Sequence, residues 1–266
     1  MPKSKKWGAK DMDVVILCGG KGMRMREYSE KIPKALIPIG GRPLIWHIMK
    51  TYYHYGYDNF ILCLGYNGEL IKQYFANMFI FNRDFTITTS EDGYKIKYLN
   101  KEEEKWSVTF VDTGIDSKTG TRLKRVKDYI HGEEFFMTYG DGLSNVNINK
   151  LLEYHQKRGN YVTLTGINRA SSFGELKINS GLVESFEEKP LTNSVINGGY
   201  MVINKKALNY IPEEDCMFEQ EPLKNLVKDK QVSVFMHNGF WKAIDTAKDI
   251  EEINNLVNTE GCKWQE

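Results

Sequence analysis

Glycine, lysine and arginine are concentrated in one short segment near the start of the chain, Gly19–Arg24. The segment follows the apolar run Val14–Cys18, which is typical of a strand that is buried on both faces. Glycines directly after a strand let backbone N–H groups approach phosphate oxygens closely, so the segment is a candidate phosphate-binding loop. The alternative is a tight turn without a ligand, because the segment matches neither the dinucleotide-binding fingerprint nor a Walker loop.

A second cationic residue, Lys34, follows Pro33 in the loop that leaves the glycines. The proline ring restricts the backbone, so the lysine can direct its ammonium toward the same phosphates as Arg24. A solvated loop lysine is the alternative.

Two carboxylates, Asp141 and Asp245, are candidates for binding Mg²⁺. Asp141 lies between two glycines at the end of a predicted strand, and Asp245 ends an apolar run just before a predicted helix. Mg²⁺ usually takes one or two carboxylates together with substrate phosphates. The alternatives are an ordinary Asp-Gly turn for Asp141 and a helix N-cap for Asp245.

A third group of polar residues lies further along the chain, in FEEKP and INGG. Lys189 precedes a proline, in a mirror image of the arrangement at Lys34. Asn197 stands between an apolar residue and two glycines, where it can hydrogen-bond a hydroxyl-rich ligand. Neither signal is specific by itself.

The chemistry that these groups suit is phosphoryl or nucleotidyl transfer, in which positioning and charge neutralisation supply most of the catalysis. The chain has no G-x-S-x-G nucleophile elbow, and its five histidines share no motif. No protein nucleophile is needed if the attacking group is an ionised phosphate.

The elements that must position these residues alternate between strands and helices over the first 165 residues. Strands are predicted at Val14–Cys18, Asn59–Leu64, Glu134–Tyr139 and Tyr161–Thr165, and helices at Pro43–Tyr55, Glu69–Phe79, Leu123–Tyr129 and Asn149–Arg158. This order predicts an α/β fold with a doubly wound, mostly parallel sheet. Ligands of such sheets bind at the carboxyl ends of the strands, so Gly19–Arg24 and Gly140–Gly142 should meet at one edge.

The chain of 266 residues is predicted to form a flexible tail, residues 1–11, and one domain, residues 12–266. Within that domain we expect a β-rich insertion at 79–120, and residues 166–266 form its C-terminal portion.

The composition excludes several classes of protein. A net charge of +1 argues against binding to a nucleic-acid backbone. No apolar stretch reaches the roughly 18 residues of a membrane-spanning helix. The four cysteines have neither a zinc spacing nor the density of a disulfide scaffold, which favours a reducing cytoplasm.

The sequence resembles the sugar-1-phosphate nucleotidylyltransferases over nearly its whole length. The shared stretches are VVILCGGKGMRM, KIPKALIPIGGRPLIWHIMKTYYHYG, DTGIDSKTGTRLKRV, TYGDG, FGELKI, FEEKP, INGGYMVIN, FEQEPL and GFWKAIDT. DTGIDSKTGTRLKRV, FEQEPL and GFWKAIDT are more particular to the cytidylyl branch. The resemblance implies a Rossmann-like, GT-A-like mixed sheet whose C-terminal portion binds the sugar phosphate.

The resemblance also implies a role for each matching residue. The sugar-phosphate oxygen, with glucose 1-phosphate as the expected acceptor, attacks the α-phosphorus of CTP and pyrophosphate leaves. Arg24 and Lys34 are the catalytic cations, and Asp141 and Asp245 hold Mg²⁺. The nucleotide is bound by Leu17, Gly19, Gly20, Gly22, Met23, Arg24, Lys34, Arg122 and Asp141. The sugar phosphate is bound by Tyr139, Gly140, Glu187, Lys189, Asn197 and Gly198.

Three positions depart from the family pattern: Met23, Thr121 and Ser172 stand where Thr, Gly and Arg are usual. They leave two alternatives open, an enzyme of the same fold with another nucleotide or phosphorylated acceptor, and an inactive nucleotide-binding regulatory subunit. The resemblance further suggests a homo-oligomer, with the 79–120 insertion at a subunit contact, and a product used in polysaccharide synthesis. No nucleic-acid or membrane partner is expected.

Overall fold

Strands and helices alternate along the part of the chain that the structure, a computed structural model, describes: residues 12–20, 32–99, 104–170, 175–179, 182–187 and 191–265. The strands are β1 (Val14–Leu17), β2 (Pro38–Ile39), β3 (Arg42–Pro43), β4 (Asn59–Leu64), β5 (Phe85–Ser90), β6 (Gly93–Tyr98), β7 (Ser107–Asp112), β8 (Glu134–Tyr139), β9 (Gly142–Ser144), β10 (Val162–Ala170), β11 (Glu175–Asn179), β12 (Leu182–Glu187), β13 (Leu191–Asn204), β14 (Val232–His237) and β15 (Trp241–Ala243). The helices are α1 (Leu44–His54), α2 (Gly68–Asn82), α3 (Thr119–Arg125), α4 (Ile148–Arg158), α5 (Glu221–Lys228) and α6 (Ala247–Glu260). The tail predicted at residues 1–11 and the segment from Lys21 to Lys31 lie outside the described residues.

A central sheet of seven strands runs in the order β14-β10-β13-β8-β1-β4-β7. Strand β13 is antiparallel to both of its neighbours, β8 and β10, and the other neighbouring pairs are parallel. The predicted doubly wound, mostly parallel sheet is therefore confirmed as a mixed sheet. Because β13 lies between β8 and β10, the C-terminal portion of the chain shares this sheet with the first half.

Strand β1 shows why the sheet is buried on both faces. Val14 and Ile16 belong to one hydrophobic cluster, and Val15 and Leu17 belong to the cluster on the opposite face. Side chains alternate between the two faces of a strand, so a strand between two helical layers must be apolar at every position. Helices α1 and α6 contribute to the first cluster, and α3 and α5 contribute to the second.

Helix α3 begins at Thr119, four residues before the predicted start, and a separate 3-10 turn follows at Lys127–Tyr129. Long-range contacts set this start. The Lys118 N–H donates to Asp215 Oδ1, and the Gly120 N–H donates to the carbonyl of Cys216. A Cβ at residue 120 would lie 2.8 Å from Cys216 Sγ, so this close approach requires the glycine.

The region predicted as an insertion at 79–120 contains two kinds of structure. Strands β5 and β6 pair only with each other, as an antiparallel hairpin. Strand β7, by contrast, pairs with β4 and forms an edge of the central sheet. The part that stands outside the central sheet is therefore the β5–β6 hairpin and not the whole of 79–120.

None of the described helices combines the length and the apolarity that crossing a bilayer requires.

Candidate active site

The ends of β1 and β8 lie side by side and bring two of the predicted segments together. The strands are parallel, with Leu17 opposite Tyr139 in the register. The Gly140 N–H donates to the Leu17 carbonyl over 3.0 Å, and a Cβ at residue 140 would come within 3.0 Å of that oxygen. The expected meeting of Gly19–Arg24 with Gly140–Gly142 at one sheet edge is thus confirmed for the described residues of the first segment, Gly19 and Gly20. Gly22, Met23 and Arg24 lie outside the described residues.

The Lys34 ammonium stands between the two predicted metal-binding carboxylates. Its Nζ lies 3.0 Å from Asp141 Oδ2 and 2.7 Å from Asp245 Oδ1. Lys34 comes from the 3-10 turn Lys34–Leu36, Asp141 follows β8, and Asp245 follows β15. The lysine side chain is 16% exposed, whereas the two aspartates are 40% and 38% exposed, so the carboxylates face the open side of the site.

Pairing between β9 and β15 places Asp245 beside Asp141. The two short strands are antiparallel, with Ala243 opposite Gly142, and the Ile244 N–H donates to the Asp141 carbonyl over 2.8 Å. The strand-like apolar run that ends at Asp245 is thus confirmed as β15, whereas β9 was not predicted.

Asp245 does not cap helix α6, which was the alternative interpretation of this residue. The N-cap is Thr246, which forms a capping box with Asp249. Asp249 Oδ2 accepts hydrogen bonds from the backbone N–H groups of Thr246 and Asp245, over 2.8 and 3.1 Å. The capping box thus holds the backbone of Asp245 while its carboxylate points to Lys34.

The carboxylate pair fits a divalent cation. Both carboxylates bind the same positive group, the Lys34 ammonium, so they lie close enough together to share one cation. Within the described ranges, no group of three or more His, Cys, Asp or Glu side chains could hold a metal ion. A metal bound here would therefore take its remaining ligands from substrate phosphates and water, as Mg²⁺ commonly does.

Two cavities are lined in part by the residues of this charged cluster. The first, of about 300 Å³, is lined by residues that include Gly19, Gly20, Lys34, Thr119, Tyr139 and Asp141. The second, of about 210 Å³, is lined by residues that include Tyr139, Asp141, Asn197, Gly198, Trp241 and Asp245. Tyr139 and Asp141 line both cavities, so a group bound in one lies next to a group bound in the other.

Arg122, predicted to contact the nucleotide, has its hydrogen bonds committed to the protein. The residue is 4% exposed, and its guanidinium donates to the carbonyls of Leu64 and Gly19 over 2.9 and 3.0 Å. It also donates to Thr113 Oγ1 over 2.7 Å. Burial lowers the pKa of the guanidinium from its ordinary value. Arg122 thus fastens the first glycine of the loop to the ends of β4 and β7, and direct contact with a nucleotide stays a prediction.

The predicted sugar-phosphate residues are only partly brought together in the described ranges. Asn197 and Gly198 line the second cavity with Tyr139, and Gly140 lines the first. The Trp241 indole N–H donates to the Gly198 carbonyl over 2.8 Å, which holds this wall in place. Lys189 lies outside the described residues, and Glu187 is described only as the last residue of strand β12.

Glu219 is a residue of the site that sequence analysis missed. Its carboxylate accepts hydrogen bonds from the Tyr139 hydroxyl and, over 2.5 Å, from Thr119 Oγ1. Burial raises the pKa of the Tyr139 hydroxyl, and the neighbouring Glu219 charge raises it further. The only signal was the motif FEQEPL, which was assigned to the cytidylyl branch without a role for any of its residues.

Comparison with known proteins finds full-length relatives. The nucleotidyl transferase family model matches residues 13–260. A Bacillus subtilis (strain 168) protein named "Probable glucose-1-phosphate cytidylyltransferase" is 46% identical over 255 residues, covering 96% of this chain and 99% of that protein. A Salmonella typhimurium protein named "Glucose-1-phosphate cytidylyltransferase" is 40% identical over 256 residues, covering 96% and 99%. The crystal structure of HddC from Yersinia pseudotuberculosis complexed with GMP-PN gives a TM-score of 0.66 at 22% identity, covering 92% and 98%, and so shares the fold.

Proposed function

Because this chain belongs to the nucleotidyl transferase family, we propose that it is a cytidylyltransferase that condenses CTP with glucose 1-phosphate to give CDP-glucose and pyrophosphate. Enzymes of this family act on a nucleoside triphosphate and a sugar phosphate. The choice of CTP and of glucose 1-phosphate rests on relatives named as glucose-1-phosphate cytidylyltransferases, which align with this chain over 99% of their own length. The structural observation that supports transfer chemistry is Lys34 between Asp141 and Asp245, where the two cavities meet.

In the mechanism that we propose, the first cavity holds CTP and the second holds glucose 1-phosphate. The N–H groups of Gly19 and Gly20 and the Lys34 ammonium bind the triphosphate. A phosphate oxygen of the sugar attacks the α-phosphorus in line and forms a P–O bond, while the bond to the β-phosphate oxygen breaks and pyrophosphate carries away the electron pair. The attacking oxygen is already ionised, so the protein has to position it and stabilise negative charge.

Asp141 and Asp245 would hold the divalent metal that enzymes of this family generally use, and we propose that the metal is Mg²⁺. When bound, the ion neutralises phosphate charge and orients the reacting groups. Lys34 supplies a fixed positive charge beside it.

Cysteine chemistry and surface composition support two further parts of the proposal. All four cysteines are free thiols, which suits a cytoplasmic enzyme.

Ile87 and Tyr94 on the β5–β6 hairpin are exposed apolar side chains that favour a homo-oligomeric contact at this hairpin. Light scattering coupled to gel filtration measures the mass of the particle. A mass near 30.8 kDa would contradict the oligomer.

The test of the activity is pyrophosphate release with Mg²⁺, glucose 1-phosphate and each of CTP, UTP, dTTP, ATP and GTP in turn. Release with CTP alone supports the proposal. Release with another nucleotide moves the enzyme to a different branch of the family. If the protein binds CTP but releases no pyrophosphate with any of a panel of phosphorylated acceptors, the result contradicts the proposed enzymatic activity and supports an inactive regulatory subunit.

A further inference from the structure

The Glu219 carboxylate contacts residues that line the two cavities. Thr119, at the start of α3, lines the first cavity, and Tyr139, at the end of β8, lines both. The hydroxyl of each of these side chains donates a hydrogen bond to the Glu219 carboxylate. Glu219 itself lies just before α5, 100 positions from Thr119 and 80 from Tyr139. One carboxylate thus forms hydrogen bonds to lining residues of both cavities.

The direction of each hydrogen bond in this group is fixed by its chemistry. An ionised carboxylate only accepts, so the hydroxyls of Thr119 and Tyr139 both donate to it. Thr119 Oγ1 also accepts from the Phe218 N–H over 2.9 Å, so its donor and one acceptor position are used.

Tyr139 also belongs to the second cavity, whose lining includes Asn197 and Trp241. Asn197 Oδ1 accepts from the Gly199 N–H over 2.9 Å, which holds the Asn197 amide in the same lining. The Tyr139 hydroxyl that Glu219 binds is therefore part of a residue that lines the second cavity.

We propose that Glu219 is a positioning residue of the transfer reaction, whose carboxylate orients Thr119 at the nucleotide cavity and Tyr139 at the boundary with the sugar-phosphate cavity. This inference rests on the proposed function, because it assigns one substrate to each cavity. Because one carboxylate binds a residue at each cavity, the same side chain helps to align the attacking oxygen with the α-phosphorus.

Glu219→Gln is the direct test, because the amide keeps the size of the side chain but has one acceptor oxygen and one donor nitrogen. Only one of the two hydroxyls can then donate to it, and the other must turn. We expect the KM for CTP or for glucose 1-phosphate, or both, to rise about tenfold, the effect of losing one hydrogen bond of about 1.4 kcal/mol. Glu221→Gln is the matched control, since Glu221 is exposed two residues further on, and it should keep wild-type constants.

A double-mutant cycle separates positioning from a merely structural role. Tyr139→Phe should raise the KM for glucose 1-phosphate, and Thr119→Val should raise the KM for CTP. Adding Glu219→Gln to Tyr139→Phe should cost less in the KM for glucose 1-phosphate than the product of the two separate effects, because both changes break the same link. If Glu219→Gln does not fold, as judged by circular dichroism, the Tyr139 and Thr119 variants carry the test.

Two results would overturn the inference while the proposed function stands. One is wild-type turnover of CTP and glucose 1-phosphate together with unchanged KM values in Glu219→Gln, or in both hydroxyl variants if Glu219→Gln does not fold. The other is fully multiplicative losses in the cycle. A wild-type enzyme that turns over neither substrate would instead contradict the proposed function and, with it, this inference.

Discussion

The Lys34 ammonium lies 2.7 Å from Asp245 Oδ1, although 211 positions of sequence separate the two residues. Asp141, 107 positions from Lys34, binds the same nitrogen. Among the described residues, the cluster joins two carboxylates to one ammonium, and loss of the ammonium would leave the two carboxylates opposed to each other. The Lys34 ammonium therefore links three segments that are distant in the sequence.

Lys34→Met should reduce kcat by at least about a hundredfold, the usual cost of removing one group that stabilises charge in a transition state. Methionine is similar in length and removes the charge. The measurement is steady-state pyrophosphate release at saturating CTP and glucose 1-phosphate. Lys228→Met, at an exposed position at the end of α5, is the control. A Lys34→Met enzyme with wild-type kcat would remove this lysine from the reaction.

Asp141→Asn should abolish Mg²⁺-dependent turnover and leave the fold intact, because the amide can still contact Lys34 but is a much weaker ligand for a hard cation. The measurement is the rate as a function of Mg²⁺ concentration, with circular dichroism as the check on folding. Asp128→Asn, at an exposed position of the Lys127–Tyr129 turn, is the matched control. A normal Mg²⁺ response in Asp141→Asn would show that the metal is bound elsewhere.

Gly19→Ala should destabilise the protein more than Gly20→Ala. A Cβ at residue 19 would lie 2.1 Å from Arg122 Nη1, so the buried guanidinium would have to leave its carbonyl partners, whereas a Cβ at residue 20 meets nothing within 4 Å. Overpacking of this kind costs about 1–3 kcal/mol, which lowers the Tm of a chain of this size by several degrees. Thermal unfolding of the two variants side by side measures the difference. Equal Tm values would mean that Arg122 is not fastened to the loop.

Stability should fall as pH falls from about 6.5 to about 4, in part because of His47. Burial lowers the pKa of His47 from its ordinary value of 6.5 to about 4. The unfolded chain therefore takes up a proton in this window before the folded chain does, which favours unfolding by on the order of 3 kcal/mol at the acid end. The neutral ring contacts the Ile39 carbonyl through Nε2 and accepts the Trp264 indole N–H at Nδ1.

The urea midpoint between pH 4 and 7 measures this effect. His47→Gln offers a donor and an acceptor but does not titrate, so its midpoint should depend less on pH than that of the wild type. His54→Gln, at an exposed position on the same helix, should keep the wild-type slope. The same slope in His47→Gln and the wild type would assign the pH dependence to other groups.

Buried parallel strands were the elements that sequence patterns located best. Strands β4 and β8 have the predicted bounds, because a strand covered on both faces is apolar at nearly every position and its ends are marked by polar residues. Strand β13 could not be located in this way over its full length, since its first part is defined by pairing with β10 rather than by an apolar run. Local periodicity contains no information on that pairing.

The candidate site was predicted to the extent that it follows strand ends. Gly19 and Asp141 could be placed together because parallel strands carry their loops to one edge. The partners of Arg122 and Glu219 could not, because each binds groups some 60 to 100 positions away that only the folded chain brings near. A charged residue in a motif gives no sign of whether it faces a ligand or supports a loop.

In the proposed reaction, the α-phosphorus of CTP is transferred to the sugar phosphate at the Lys34–Asp141–Asp245 cluster. The direct measurement uses CTP labelled with ³²P at the α-phosphate, together with unlabelled glucose 1-phosphate and Mg²⁺, and separates the products by chromatography. We expect the label to appear in CDP-glucose and the pyrophosphate to be unlabelled, and we expect Lys34→Met to form little CDP-glucose or pyrophosphate. Label that stays in CTP, or that is released as CMP without a sugar attached, would contradict the proposed reaction.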